Sequence, residues 1–247
     1  MKRFLSLFMA FCLLISLSAC KSSKSDDDIL KFFKALDYTL DAKSAAISGS
    51  INTVSGDKNS TMNIDAQFNQ ENQIQCAVKV GLEADSNKID DYLDFYIKDG
   101  KTYLKNMSTT SQSVASNIGI KDNTKFSAYN PFLNYTDDEL CEMFTSSSKK
   151  GDTYTFDVDT DKMAEVLDNY GSVSLSEAKV TATFKEKVIS YLCIEAKGES
   201  SITKKSKTME FKIELNINDY NQLKEIIYPD DLDSYPTSTD SSDTSTS

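Results

Sequence analysis

The 247-residue chain is 39% apolar and 26% charged, with a formal charge of −11, which excludes collagen-like, coiled-coil and wholly disordered classes. It has no His, and Arg3 is its only arginine, so imidazole bases, Ser-His-Asp or Cys-His arrangements, His-ligated metals and bidentate anion clamps largely fall away. Without residues 1–19 the chain keeps 228 residues, and loss of Lys2 and Arg3 leaves 25 basic against 38 acidic side chains, a net charge of −13 that repels phosphate backbones and anionic headgroups.

Met1, Lys2 and Arg3 form a short positive region, and Phe4 to Leu17 is a nearly unbroken apolar run, too short to span a bilayer comfortably. Leu17-Ser18-Ala19-Cys20 follows and resembles the lipobox of bacterial lipoprotein signal peptides. That resemblance implies cleavage between Ala19 and Cys20, thioether lipidation of Cys20, and a protein held at the extracytoplasmic face of the cell membrane. Two acyl chains suffice for stable anchoring where one would exchange. Residues 1–19 are therefore the expected signal peptide, and residues 20–28 the lipidated cysteine and a polar tether.

Ile29, Phe32, Phe33, Leu36 and Leu40 then fall at helical spacing behind three aspartates suited to a helix start. Period-two alternation takes over: Ile47, Gly49 and Ile51 share one face; Met62, Ile64, Ala66 and Phe68 the next; Ile74, Cys76, Val78, Val80 and Leu82 a third. Asp99-Gly100 between Tyr92–Lys98 and Lys101–Met107 predicts a type I′ hairpin, because both residues tolerate positive φ. Residues 108–135 read as a partly ordered excursion over the core. Thr136-Asp137-Asp138-Glu139 matches a capping box and predicts a short helix through Leu140, Met143 and Phe144.

Tyr154, Phe156 and Val158 give a short strand, and Met163, Val166, Leu167 and Tyr170 a helix closed by Gly171. Three alternating runs finish the body: one through Phe184, with a phase change near Ser176; one through Leu192, Ile194 and Ala196; and one through Phe211, Ile213 and Leu215. Residues 237–247 are too polar to bury a core and are expected to be disordered. The fold class expected is α+β, a single strongly curved antiparallel sheet, an incomplete barrel spanning residues 29–236, with amphipathic helices on its concave face.

The lipobox, polar tether, entering helix, the Asp99-Gly100-Lys101-x-Tyr103 hairpin and the Ile226-x-Tyr228-Pro229 segment together resemble the LolA/LolB-like superfamily, and in particular the small half-barrel (LppX/LprG-like) lipoproteins of Gram-positive envelopes. The resemblance implies an apolar cavity between sheet and helices for a lipid, acyl chain or other hydrophobic ligand. Carriers of the LolA type also use a cavity arginine, and this chain has none once residues 1–19 are removed. The lining expected from strand alternation is Ile64, Phe68, Val78, Val80, Phe184, Ile194, Phe211 and Ile213; the same residues would equally make a filled core. Tyr92, Tyr96, Tyr103 and Tyr191 form either an aromatic face or ordinary strand packing.

Asp157, Asp159, Asp161 and Asp168 have EF-hand-like spacing, but Lys162 stands where the loop needs glycine, and a helix-capping role for Asp159 or Thr160 is the stronger reading. Three cysteines follow Cys20, namely Cys76, Cys141 and Cys193, so at most one disulfide forms among them; no CxxC supports zinc. No residue pair stands out as catalytic and no cofactor motif is present, so the expected protein is a non-enzymatic lipoprotein binding an apolar ligand and no nucleic acid. The alternative is a cell-surface structural or protein-interaction lipoprotein with a filled core. Metabolic labelling with a palmitate analogue checks the anchor: the wild-type protein takes up label and Cys20→Ser does not, whereas label persisting in the variant contradicts lipidation at this residue.

Overall fold

The computed structural model describes residues 24–85, 87–167, 174–200 and 207–237. The signal peptide, the lipobox, the helix end at Tyr170-Gly171, the loop at 201–206 and the tail from 238 lie outside them. Helix α1 (Asp26–Leu40) is capped by Ser25, whose side chain accepts from the Asp28 N–H, and three aspartates occupy its first turn, where they complement the helix dipole. One face carries Ile29, Phe32, Phe33 and Ala35 into the core.

The strands β1 (Ser44–Ser55), β2 (Lys58–Asn69), β3 (Gln75–Ala84), β4 (Asn87–Lys98), β5 (Lys101–Asn106) and β6 (Thr109–Val114) form an antiparallel meander. Helix α2 (Asp137–Glu142) precedes β7 (Phe144–Lys150) and β8 (Thr153–Val158), and α3 (Thr160–Leu167) precedes β9 (Ser174–Lys185), β10 (Val188–Ser200) and β11 (Lys207–Asn218). Pairing of β1 with β11 joins the two halves into one 11-stranded sheet, ordered β6-β5-β4-β3-β2-β1-β11-β10-β9-β8-β7. The edges β6 and β7 do not pair with each other, so the sheet stays an open, curved α+β half-barrel.

Local signals are realised where side chains enforce them. Asp99 and Gly100 have φ of 50° and 74°, as a type I′ turn requires, and Thr136 and Glu139 complete a reciprocal capping box. The phase change near Ser176 is a bulge, where the register with β10 skips that residue. Two expectations need correction. Residues 109–114 are strand β6 rather than part of an irregular excursion, and the helix after the capping box ends at Glu142, so that Met143 is its C-cap and Phe144 opens β7. Both strands are edges rich in Ser and Thr, which need only one partner and show no apolar alternation.

Alternation places three cores. The first lies under α1, where Phe32 packs on Phe156 (5.3 Å between ring centres) and Phe144 (5.8 Å), and Tyr154 stacks on Phe184 (4.6 Å). The second joins Ala45, Phe68, Cys76 and Ile97 on the same inner face. The third is on the outer face: Tyr96 and Tyr103 are covered by the C-terminal segment through Tyr228, Leu232 and Tyr235. Gln70 ties these parts together from within. Its amide donates to the Leu40 and Ala42 carbonyls (2.8 and 2.7 Å) and accepts from the Phe126 N–H (2.7 Å), so all its polar atoms are satisfied although it is buried.

Gly49 sits where β1 meets β11, opposite Leu215 on one side and Ile64 on the other. A Cβ there would lie 1.9 Å from the Glu214 carbonyl oxygen and 3.0 Å from the Leu215 Cα, so only glycine lets the backbones approach this closely at the seam. Gly49→Ala is expected to cost about 2 kcal/mol or more through overpacking, lowering Tm by about 5 °C, whereas Gly81→Ala, whose Cβ would stand 3.2 Å from its nearest backbone atom, costs less. Equal thermal midpoints for the two variants would contradict a pinched seam.

Candidate functional site

The register decides which apolar side chains meet. Ile64 is directly opposite Val80, and Ile194 directly opposite Ile213, with Phe211 next along the same face of β11. The strand between these pairs is β1, which contributes Gly49 and Ile51, so a row runs Val80, Ile64, Gly49, Leu215 and a second runs Leu82, Met62, Ile51, Ile213, Ile194. These two rows lie side by side on the inner face, with no side chain at Gly49, and are called the trough below. Ile51, Met62, Ile64, Val80, Leu82, Phe211, Ile213 and Leu215 are half-buried, and among the described residues none belongs to a packed core.

The other three expected lining residues are placed differently. Phe184 is buried in the aromatic core beneath α1, Phe68 meets the Phe126 ring edge-on at 5.1 Å, and Val78 packs against that second core. The expected cavity between sheet and helices is therefore filled where α1 lies. Ile194 stands at the boundary, half-buried and touching the first core. Strand alternation put these residues on one face; Ile51, Met62, Leu82 and Leu215 join them there through the β1–β11 pairing, which local alternation does not reveal.

One hollow, of about 770 Å³, opens beside β9 to β11 and reaches Thr160 at the start of α3. Its walls mix inner-face Ala178, Ala196 and Phe211 with Lys179, Glu195, Lys197, Glu210 and Lys212 of the outer face. The charges there are ion-paired, Lys197 across strands with Glu177 (3.5 Å) and Glu210 (3.9 Å), and Lys212 along β11 with Glu214 (3.1 Å). Exposed pairs of this kind contribute little to stability and mark a solvated surface. A second hollow of about 250 Å³ reaches Ile64 and Leu82 from the β2–β4 side.

The tyrosines divide. Tyr96 and Tyr103 are buried neighbours under the C-terminal segment, Tyr92 is half-buried, and Tyr191 lies far off on β10, donating to Glu214 at 3.0 Å. Burial, and then the adjoining Asp94 carboxylate, which accepts from the Tyr96 hydroxyl at 3.1 Å, push the Tyr96 phenol well above its ordinary value. Tyr228 and Tyr235 complete this aromatic layer and came from a segment whose sequence gave no strand or helix pattern.

The carboxylates at EF-hand spacing do not converge. Asp157 points from β8 to the Ser146 hydroxyl, while Asp159 accepts from the backbone N–H groups of Asp161 and Lys162 at 3.2 and 3.1 Å, the helix-capping role; Asp168 lies outside the described residues. Among the described residues no group of three or more carboxylate, thiol or imidazole side chains is placed to hold a metal. Cys76, Cys141 and Cys193 are free and buried, and burial pushes the Cys76 thiol up to about 11, so these thiols act as small apolar side chains.

No family model matches the chain, and no curated protein matches its sequence. Among solved structures, LprF from Mycobacterium bovis is similar over 84% of this chain and 99% of that chain, at 9% identity and a TM-score of 0.43. A beta-barrel-like protein of the domain of unknown function DUF1849 from Brucella abortus is similar over 72% and 98%, at 12% identity and a TM-score of 0.22. Likenesses of this size say nothing of ligand or activity. Among the described residues no helix is long and apolar enough to cross a membrane.

Proposed function

We propose that the protein is an extracytoplasmic lipoprotein, tethered through Cys20, that shields an acyl chain or similar apolar ligand in the trough across β11, β1, β2 and β3. The observation that carries this reading is the continuous set of half-buried apolar side chains at the seam, Ile51, Met62, Ile64, Val80, Leu82, Phe211, Ile213 and Leu215, which no described core covers. Partly exposed apolar side chains in one contiguous set, which polar neighbours do not interrupt along the face, are what a surface for an apolar ligand requires.

Ligand binding here is desolvation. Each methylene taken from water contributes about 0.8 kcal/mol, and no charged group is needed on the ligand's tail. The filled aromatic core under α1 limits the depth to which a chain can enter, and Phe68, Val78 and Phe184 hold the sheet's curvature instead of touching ligand.

Substitution of the trough separates this reading from a filled core. Val80→Asn and Ile213→Asn are expected to change unfolding free energy by about 1 kcal/mol or less, as at a partly solvated surface, while weakening binding of a fluorescent fatty acid by about tenfold. A loss of several kcal/mol of stability, or unchanged affinity for the fatty acid in both variants, overturns the proposal and favours the interaction lipoprotein with a solid interior.

A further inference from the structure

Lys31 on α1 and Lys149 on β7 converge on one oxygen. The Lys31 ammonium donates to the Tyr154 hydroxyl at 2.7 Å, and the two ammonium groups stand 4.8 and 4.9 Å from the centre of the same ring. Tyr154 is 1% exposed and stacked on Phe184, so the hydroxyl they share is a fixed point rather than a mobile one. Neither lysine has a carboxylate within ion-pair distance among the described residues; Asp28 and Asp152 act on Lys149 only from farther away.

Two like charges held on a neutral acceptor repel each other, and an anion between them removes that cost. We propose that Lys31 and Lys149, with the Tyr154 hydroxyl between them, seat the phosphate of an anionic phospholipid headgroup. The site's own field is consistent with this: burial opposes ionisation of the phenol, yet the hydrogen bonds from Lys149 and Lys31 outweigh it and hold the Tyr154 pKa below its ordinary value. The overall charge of the chain, which argues against an anionic partner, is an average over a surface on which Lys31 and Lys149 stand together at Tyr154.

Position selects a membrane headgroup over a soluble phosphate. The Ser25 N–H donates to the Ser147 hydroxyl at 2.8 Å, fixing the chain's entry beside β7, and Lys149 follows two residues along that strand, about 7 Å away. Cys20 lies five residues before Ser25, a reach of about 17 Å when extended. On the tethering reading above, the anchor and the two ammonium groups therefore meet the same leaflet. The trough then faces away from that membrane, because its side chains lie toward the turn at 56–57 while Lys149 adjoins the turn at 151–152 at the other end of the sheet.

The test uses residues 20–247 carrying Cys20→Ser, so that lipidation plays no part, in flotation with phosphatidylglycerol vesicles and with phosphatidylcholine vesicles at 50 mM salt. The expected result is binding to the anionic vesicles only, weakened about tenfold or more by Lys31→Gln with Lys149→Gln and retained by Lys31→Arg with Lys149→Arg, with thermal midpoints unchanged. Equal binding by the glutamine pair, or no binding to phosphatidylglycerol, overturns the proposal. Saturable binding of inorganic phosphate without vesicle binding also overturns it, by making the occupant a soluble anion. Palmitate labelling at Cys20 reports the anchor separately, so failure of one reading is distinguishable from failure of the other.

Discussion

Helix α1 has 15 residues and is about 22 Å long and 10 Å wide, while the sheet it must cover has 11 strands at about 4.8 Å spacing. Curvature brings the two halves of the sheet closer to the helix but does not remove the mismatch. The helix buries the inner face only where β7 to β9 present Phe144, Tyr154, Phe156 and Phe184 and β10 presents Ile189, and Gln70 and the segment around Phe126 close the neighbouring end. What remains is the apolar face at the seam. A sheet with strict alternation cannot hide those side chains by turning them over, since a one-residue slip would expose the whole buried set instead. The uncovered trough is thus a direct outcome of one short helix lying on the inner face of one large sheet.

Both faces of the sheet are used unequally. On the outer face, the β3–β5 region is sealed by the returning C-terminal segment, whose Tyr228 hydroxyl donates to the Ile97 carbonyl at 2.9 Å and whose Pro236 carbonyl accepts from the Gln112 N–H at 2.8 Å. The outer face of β9 to β11 is instead a lattice of lysines and carboxylates. The strap locks one half of the half-barrel from outside, α1 locks the other from inside, and the seam at Gly49 couples them. The carboxylates are spread over strand faces and helix starts, while Lys31 and Lys149, without a carboxylate in ion-pair distance among the described residues, stand near Ser25 at the start of α1.

Much of this was legible in the residues. The α1 face, the Asp99-Gly100 turn, the Thr136–Glu139 box and the bulge at Ser176 each depend on neighbours a few positions apart, and sequence alternation fixed the inner face of nearly every long strand. Strands β6 and β7 were not legible, because Thr109–Val114 and Thr145–Lys150 are polar on both faces and are defined by hydrogen bonds to one partner. The division of the expected lining into trough and core was also hidden: Ile64 and Phe68 have identical local patterns, and only the distance along β2 to Gln70 and Phe126 separates an open position from a covered one. The meeting of Lys31 with Tyr154 joins positions 123 residues apart and leaves no local trace.

Native mass spectrometry of the protein extracted gently from its own cells tests the central claim most directly. The account predicts a population carrying the added mass of a lipid or acyl chain, removed by Ile213→Asn in the seam. A single ligand-free mass in both proteins, with the lipid recovered elsewhere in the extract, would contradict it.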